Sequence, residues 1–286
     1  MPNLKEIRNR ISSVTSTMKI TSAIKMVSAA KLKKAQDAIT AMKPYSEKLN
    51  ELMASFSDVI SSSSISYLAN ERPVKKVLIV AIASNRGFCG AFNSNIIKET
   101  KLLMLDQRFS SASFDFIVIG KKVNDILSKT EKIIQNSSNI FDDLSYDSSS
   151  LIVDKIIQDY EDEKYDHVEM IYNSFKNAAN QIIKSEQFLP IVNNSGEDNL
   201  ENYIFEPSME HIVSELVPKS LKIQLFKALR DSFASEHGAR MTAMHKATDN
   251  ATELKNELVL TYNKARQAAI TNEILEIVSG AEALKS

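Results

Sequence analysis

Helix-breaking residues are scarce: the 286 residues hold six glycines, six prolines and no tryptophan. So few breakers in so long a chain point to long, uninterrupted helices. The single cysteine, Cys89, excludes an internal disulfide and a zinc site made of four cysteines, and a reducing compartment fits it best. No run of 18 apolar residues is present, which excludes a membrane-spanning helix. The first residues enter a helical pattern at once, so neither a signal peptide nor a transit segment is expected. The four histidines, His167, His211, His237 and His245, are too scattered for metal-ligand spacing. What remains is a composition ordinary for a folded protein, 43% hydrophobic and 25% charged.

The net charge of −1 hides an asymmetry. Residues 1–57 carry ten lysines and arginines against four acids, and residues 219–286 carry ten against eight. The segment between them holds fifteen against twenty-four. Basic ends around an acidic centre call for different partners.

The N-terminal segment repeats apolar residues in steps of three and four: Leu4, Ile7, Ile11, Val14 and Met18, then Leu32, Ala35, Ile39 and Met42, then Leu49, Met53 and Phe56. This 3.5-residue repeat is the mark of a left-handed coiled-coil strand, and some 55 helical residues would reach roughly 80 Å. Pro44 predicts a kink. The seam breaks once. Thr21, Lys25 and Ser28 fall where apolar residues belong, while Ile20, Ile24 and Val27 form a neighbouring stripe, which predicts a drifting seam and a second contact surface. Eight lysines and arginines against one glutamate over residues 1–34, with no aromatics, favour acidic protein loops over nucleic acid.

The C-terminal segment is expected to be helical from about Lys219, just after Pro218. Leu225, Leu229 and Phe233 begin its seam, and Met244, Ala247, Ala251, Leu254, Leu258, Ala265 and Ala268 continue it. Toward the end, Ile270, Ile274, Leu275, Ile277, Val278, Ala281 and Leu284 cover about half the helical circumference, more than a two-stranded seam uses. A tip this apolar needs a hydrophobic sleeve from another protein.

Between the helices an α/β domain is expected. Residues 77–83 form a continuous apolar run of the kind buried strands show. Further strands are expected at 114–120, 166–174 and 181–192, and helices near 93–105, 121–130 and 148–163. This alternation implies a mostly parallel sheet with a late hairpin. The fold class is therefore α/β: a long antiparallel two-helix coiled coil of the N- and C-terminal helices plus a central Rossmann-like α/β domain. The expected divisions are 1–58, 74–206 and 208–286, with surface loops at 61–66 and 193–199.

Four stretches carry a resemblance. Met18-Lys19-Ile20-Thr21-Ser22-Ala23-Ile24-Lys25-Met26-Val27-Ser28-Ala29-Ala30-Lys31-Leu32 resembles the N-terminal signature of the γ subunits of F-type ATP synthases. Ala247-Thr248-Asp249-Asn250-Ala251 and Tyr262-Asn263-Lys264-Ala265-Arg266-Gln267-Ala268-Ala269-Ile270-Thr271 resemble the C-terminal one. Residues 84–93, Ser84-Asn85-Arg86-Gly87-Phe88-Cys89-Gly90-Ala91-Phe92-Asn93, resemble that family's glycine-containing loop. They depart from it at Asn85, often Asp there, and at Ala91, often Gly.

The resemblance implies the central rotor shaft of a proton-translocating ATP synthase, with no catalytic, cofactor-binding or metal-binding residues in this chain. It implies a coil inside a ring of α and β subunits and a globular end on the c ring beside the ε subunit, one copy per complex, peripheral on the cytoplasmic face of the bacterial inner membrane. It assigns Arg266 and Gln267, and Ile24 with Lys19, Lys25, Lys31, Lys33 and Lys34, to β-subunit contact. Tyr203 and Glu206 go to the c ring and ε subunit, and Ile274, Leu275, Ile277 and Val278 to the sleeve.

The residues alone leave alternatives: a nucleotide-binding α/β enzyme with helical dimerisation arms, or a coiled-coil adaptor. Gly87 and Gly90 join a strand to a helix as a phosphate loop does. With no Walker lysine and no acidic ribose ligand, a structural turn fits them better. Arg266 and Gln267 would otherwise be exposed helix residues, and Cys89 a small packed side chain.

Overall fold

The computed structural model describes residues 4–56, 60, 63, 65–191, 206 and 208–283. It is a mixed α/β fold with a parallel-rich central sheet and a long C-terminal helix. The chain divides into two compact units, Met1–Ser28 with Met241–Ser286, and Ala29–Arg240.

The larger unit is built on five strands: β1 Lys76–Ile82, β2 Ser113–Ile119, β3 Ile133–Asn136, β4 His167–Phe175 and β5 Gln181–Leu189. Their order is β3-β2-β1-β4-β5. The first four are parallel, and β5 returns antiparallel to β4 as the late hairpin. Every residue of β1 after Lys76 is buried, as expected of a central parallel strand covered on both faces.

Successive β1 side chains point to opposite faces and join different cores. Leu78, Val80 and Ile82 pack with Ile152, Val153, Ile156 and Tyr160 of α4 (Tyr146–Glu161). The same core takes in Val213, Val217, Leu221, Leu225 and Leu229 of α5 (Met209–Ala283). Val77, Ile79 and Ala81 pack with Ile96 and Leu103 of α2 (Phe92–Met104) and with Val123 and Leu127 of α3 (Lys121–Leu127). Ser145 caps α4, its hydroxyl accepting from the Ser148 amide at 3.2 Å.

Two expectations are corrected here. The C-terminal helix starts at Met209, ten residues before Lys219, and carries Pro218 inside it. Burial of Val213, Val217 and Leu221 around that proline offsets the lost amide bond. The sheet also has a strand the periodicity did not give, β3, whose four residues sit half-buried or exposed at the edge. Pro44 likewise lies inside a continuous helix, α1 (Leu4–Ser55).

In the smaller unit, α1 and α5 exchange side-chain contacts. Arg8 donates to the Tyr262 hydroxyl at 2.7 Å and lies over its ring. The Thr21 and Thr248 hydroxyls are 2.8 Å apart, and Lys25 Nζ is 3.2 Å from His245 Nδ1.

The expected drift of the α1 seam does not occur. Thr21 and Ser28 are buried and Lys25 is half-buried, in step with Met18 and Leu32, so the seam keeps its register and polar residues fill it. Hydroxyl pairing is what permits this. From Met244 onward the less exposed positions of α5 are Met244, Ala247, Thr248, Ala251, Lys255, Leu258, Tyr262, Ala265, Ala268 and Ala269. Leu254, expected in that seam, is exposed, and Lys255 and Tyr262 take part instead.

Candidate functional site

The expected contact residues lie on helix surfaces. Lys19, Lys31, Lys33 and Lys34 are exposed on α1, and Ile24 and Lys25 are half-buried. Beside them Ile20, Met26 and Val27 are exposed at 57–65%, an apolar stripe on an otherwise basic face. Arg266 and Gln267 are exposed on α5. Glu206 is exposed, and Tyr203 lies outside the described residues, as does the loop expected at 193–199.

Since Arg8 meets Tyr262 and α1 begins four residues before Arg8, α5 runs on past about residue 266 with none of the described α1 residues opposite. That leaves roughly 25 Å of helix at 1.5 Å per residue. Ile270, Ile274, Leu275, Ile277 and Val278 lie on this stretch and are 47–71% exposed. Its whole circumference from 270 to 283 is accessible.

The loop after β1 is held from several directions. Ser84 Oγ lies 2.7 Å from the Arg86 carbonyl and accepts from Asn93 Nδ2 at 2.8 Å. The Ser84 amide donates to Asn93 Oδ1. Asn85 ties three strand ends together: its Nδ2 donates to the Ser138 carbonyl beyond β3, and its Oδ1 accepts from the Lys121 amide beyond β2. This loop also carries Phe88, 77% exposed at φ 61°, a left-handed conformation that costs a non-glycine residue. Cys89 is buried, and burial pushes its thiol pKa up, which makes it a packed side chain rather than a nucleophile.

A phosphate loop offers backbone amides, whereas this one turns carbonyls to a cation. Arg240 of α5 donates from Nη2 to the Arg86 carbonyl at 3.1 Å and to the Gly87 carbonyl at 3.2 Å, with Nε also on Gly87 at 3.3 Å. Its Nη1 meets Glu236 Oε1 at 2.7 Å, both side chains about nine-tenths buried. The same Nη1 lies 3.4 Å from His237 Nδ1. Guanidinium only donates, so Nδ1 accepts and the ring proton sits on Nε2. That atom is buried and finds no partner among the described residues. Burial first, then Arg240 and Lys31, lowers the His237 pKa to about 3. Burial raises the Glu236 carboxyl against the pull of Arg240.

Reasoning from the sequence missed this Glu236–His237–Arg240 group. The signal available was a glutamate and an arginine at i, i+4 among the small residues Ala234, Ser235 and Gly238. Of the other histidines, His167 pairs with buried Glu169 at 2.8 Å, and His211 lies 3.5 Å from Glu215. No cluster of three or more potential metal ligands forms among the described residues, and no described helix is long and apolar enough to cross a membrane.

A family model described as ATP synthase matches residues 3–284. The chain is 60% identical to the ATP synthase gamma chain of Christiangramia forsetii, over 99% of each sequence. It is 60% identical to that of Flavobacterium psychrophilum over the full length of both, and 43% identical to that of Geobacter metallireducens, again over the full length. Among solved structures it is similar to a chain of the Tetrahymena thermophila mitochondrial ATP synthase central stalk and c-ring. That match has a TM-score of 0.57 at 28% identity and covers 80% of this chain and 99% of the other. A chain of the Euglena gracilis mitochondrial ATP synthase matches in fold with a TM-score of 0.70 at 20% identity, over 98% of this chain and 94% of the other.

Proposed function

The chain belongs to the ATP synthase gamma-chain family, and on that premise we propose that it is the central rotor shaft of a proton-translocating F-type ATP synthase, built on an antiparallel coiled coil of its terminal helices. It is a non-catalytic stalk subunit: it transmits rotation and carries out no bond chemistry.

One series of contacts carries the reading. From Arg8 to Thr21 to Lys25 the chain advances thirteen and then four residues, while the partners Tyr262, Thr248 and His245 step back fourteen and then three. Matched steps in opposite directions are what two antiparallel helices in register produce. Along them Leu4, Ile7, Ile11, Val14, Met18, Thr21, Lys25 and Ser28 of α1, in alternating steps of three and four, are all buried or half-buried. The corresponding organisation is 1–58 and 208–286 as coil helices, with 74–206 as the Rossmann-like domain between them.

The partners follow from surface chemistry and family membership. The basic face with Lys19, Lys25, Lys31, Lys33 and Lys34, together with Ile24, meets acidic loops of the β subunits, and Arg266 and Gln267 meet a β-subunit loop further along. The α and β subunits form the ring whose hydrophobic sleeve seats Ile274, Leu275, Ile277 and Val278. Tyr203 and Glu206 face the c ring and the ε subunit. The complex holds one copy of this chain, peripheral on the cytoplasmic face of the inner membrane.

The test is affinity purification of the tagged chain from native membranes, with the masses and stoichiometry of the partners measured. Three α and three β subunits, a c ring and one tagged copy are expected; a stable homo-oligomer without those partners contradicts the reading. Calorimetric titration of the isolated chain with ATP is expected to show no tight, stoichiometric binding, because the loop that would hold phosphate is occupied by Arg240.

A further inference from the structure

Taking the shaft reading as premise, we propose that the crevice at the C-terminal edge of the sheet is a socket for the chain's own long helix, in which Arg240 and Gly238 act as positioning residues for torque transfer between sheet and helix. Open α/β sheets bind ligands beyond the carboxyl ends of their strands, where the strand order reverses. Here that point lies at β1, which has β2 on one side and β4 on the other. The loop after β1 forms one wall and the β4–β5 turn the other.

Helix residues line both walls. On the β1 side the Arg240 fork reaches the carbonyls of Arg86 and Gly87 at 3.1–3.3 Å. On the β4 side a Cβ added to Gly238 would stand 3.2 Å from Ala178 Cα and 3.4 Å from the Phe175 ring, so a larger residue would push the turn away from the helix. Asp231 extends the contact, accepting from Ser174 Oγ at 3.3 Å.

Five consecutive residues, 234–238, are buried. At about 100° per residue they span more than a full turn, so the helix is enclosed all round at this level. An enclosed helix held on two sides resists being turned in either direction. The internal pair with Glu236 fixes the guanidinium, and a lysine could not present the fork that spans two carbonyls.

The experiment uses the assembled complex with the head immobilised and a bead on the c ring, the chain carrying Arg240→Lys or Gly238→Val. The variance of the bead's angular fluctuation is expected to rise about twofold as the fork or the close approach is lost, with ATP hydrolysis kept within about twofold. Unchanged variance overturns the socket. A readout independent of assembly is hydrogen exchange on the isolated full-length chain. Residues 84–91 are expected to exchange about tenfold faster in Arg240→Lys while 77–82 keep their protection. Equal exchange in the loop overturns the proposal even if the variant complex does not assemble. If a bead on the unsubstituted chain stays still while ATP is hydrolysed, the shaft reading fails, and the exchange measurement still decides the socket.

Discussion

Arg240 and Glu236 stand one helical turn apart on α5, with Nη1 and Oε1 2.7 Å apart and both side chains about nine-tenths buried. A buried pair of this kind is strongly destabilised when one member is removed, because the other is left charged and unmatched. His237 beside it stays neutral chiefly because it is buried, and a proton on its ring would also be repelled by Arg240 and Lys31.

That neutrality sets a pH dependence. The folded chain holds the His237 pKa at about 3, against an ordinary value of 6.5. Between those values the unfolded chain binds a proton that the folded chain does not, so stability falls as pH is lowered from 6.5 toward 3. Glu236, raised by burial, works in the opposite sense. Comparing the protein with His237→Gln isolates the histidine. Its stability advantage over the variant is expected to shrink by about 1 kcal/mol between pH 7.5 and 5.5 in urea titrations. A pH-independent difference would refute the buried neutral ring.

Gly120 and Gly87 are expected to respond oppositely to alanine. Gly120 has φ 124°, and a Cβ there would meet the Ala83 carbonyl oxygen at 2.5 Å, where β1 and β2 end side by side. Gly120→Ala should cost about 2–4 kcal/mol. A Cβ added to Gly87 would meet nothing within 4 Å and its φ is not positive, so Gly87→Ala should stay within about 0.5 kcal/mol. Denaturant midpoints of the two variants check this directly; equal losses would mean the strand-end geometry is wrong.

Much of this fold was legible in the sequence because burial leaves periodic traces. The apolar run at 77–83 gave β1, and the 3.5-residue repeat from Leu4 gave α1. What failed was local. Thr21, Lys25 and Ser28 look like a break in the seam, yet a hydroxyl facing Thr248 and an ammonium facing His245 satisfy the site without any drift. Pro218 looks like a boundary, but flanking buried residues outweigh one missing amide bond. β3 has two apolar residues and an edge position, too little for periodicity to detect. The Arg240 group depends on backbone carbonyls more than 150 residues away, which no local pattern encodes.

The seam can be tested by a double-mutant cycle. The Thr21 and Thr248 hydroxyls lie 2.8 Å apart, and each is also within reach of a carbonyl of its own helix, at Met18 and Met244; with one proton apiece, one hydroxyl donates to the other, which donates to its own carbonyl. Either valine substitution alone should therefore cost no more than about 1 kcal/mol, because the remaining hydroxyl keeps its backbone acceptor. The pair should show a coupling of about 0.5 kcal/mol. Additive effects would mean that the two hydroxyls do not meet in solution.

The helix tip separates folding from function. Ile277 and Val278 are exposed at 71% and 52%, so Ile277→Gln with Val278→Gln should change the isolated chain's stability by less than about 0.5 kcal/mol. In the complex the same changes should weaken assembly or coupling, because a sleeve around the tip would have to bury two amides. Circular dichroism melting of the chain and proton pumping by the complex supply the two readings. Melting that drops sharply in the isolated chain would place the tip in its own core instead.

The most direct test attaches a bead to this chain in a complex whose head is fixed to a surface and follows it while ATP is hydrolysed. The account predicts sustained rotation in one direction, with the bead pausing at three angles per turn. Steady hydrolysis beneath a bead that only jitters about one angle would contradict it.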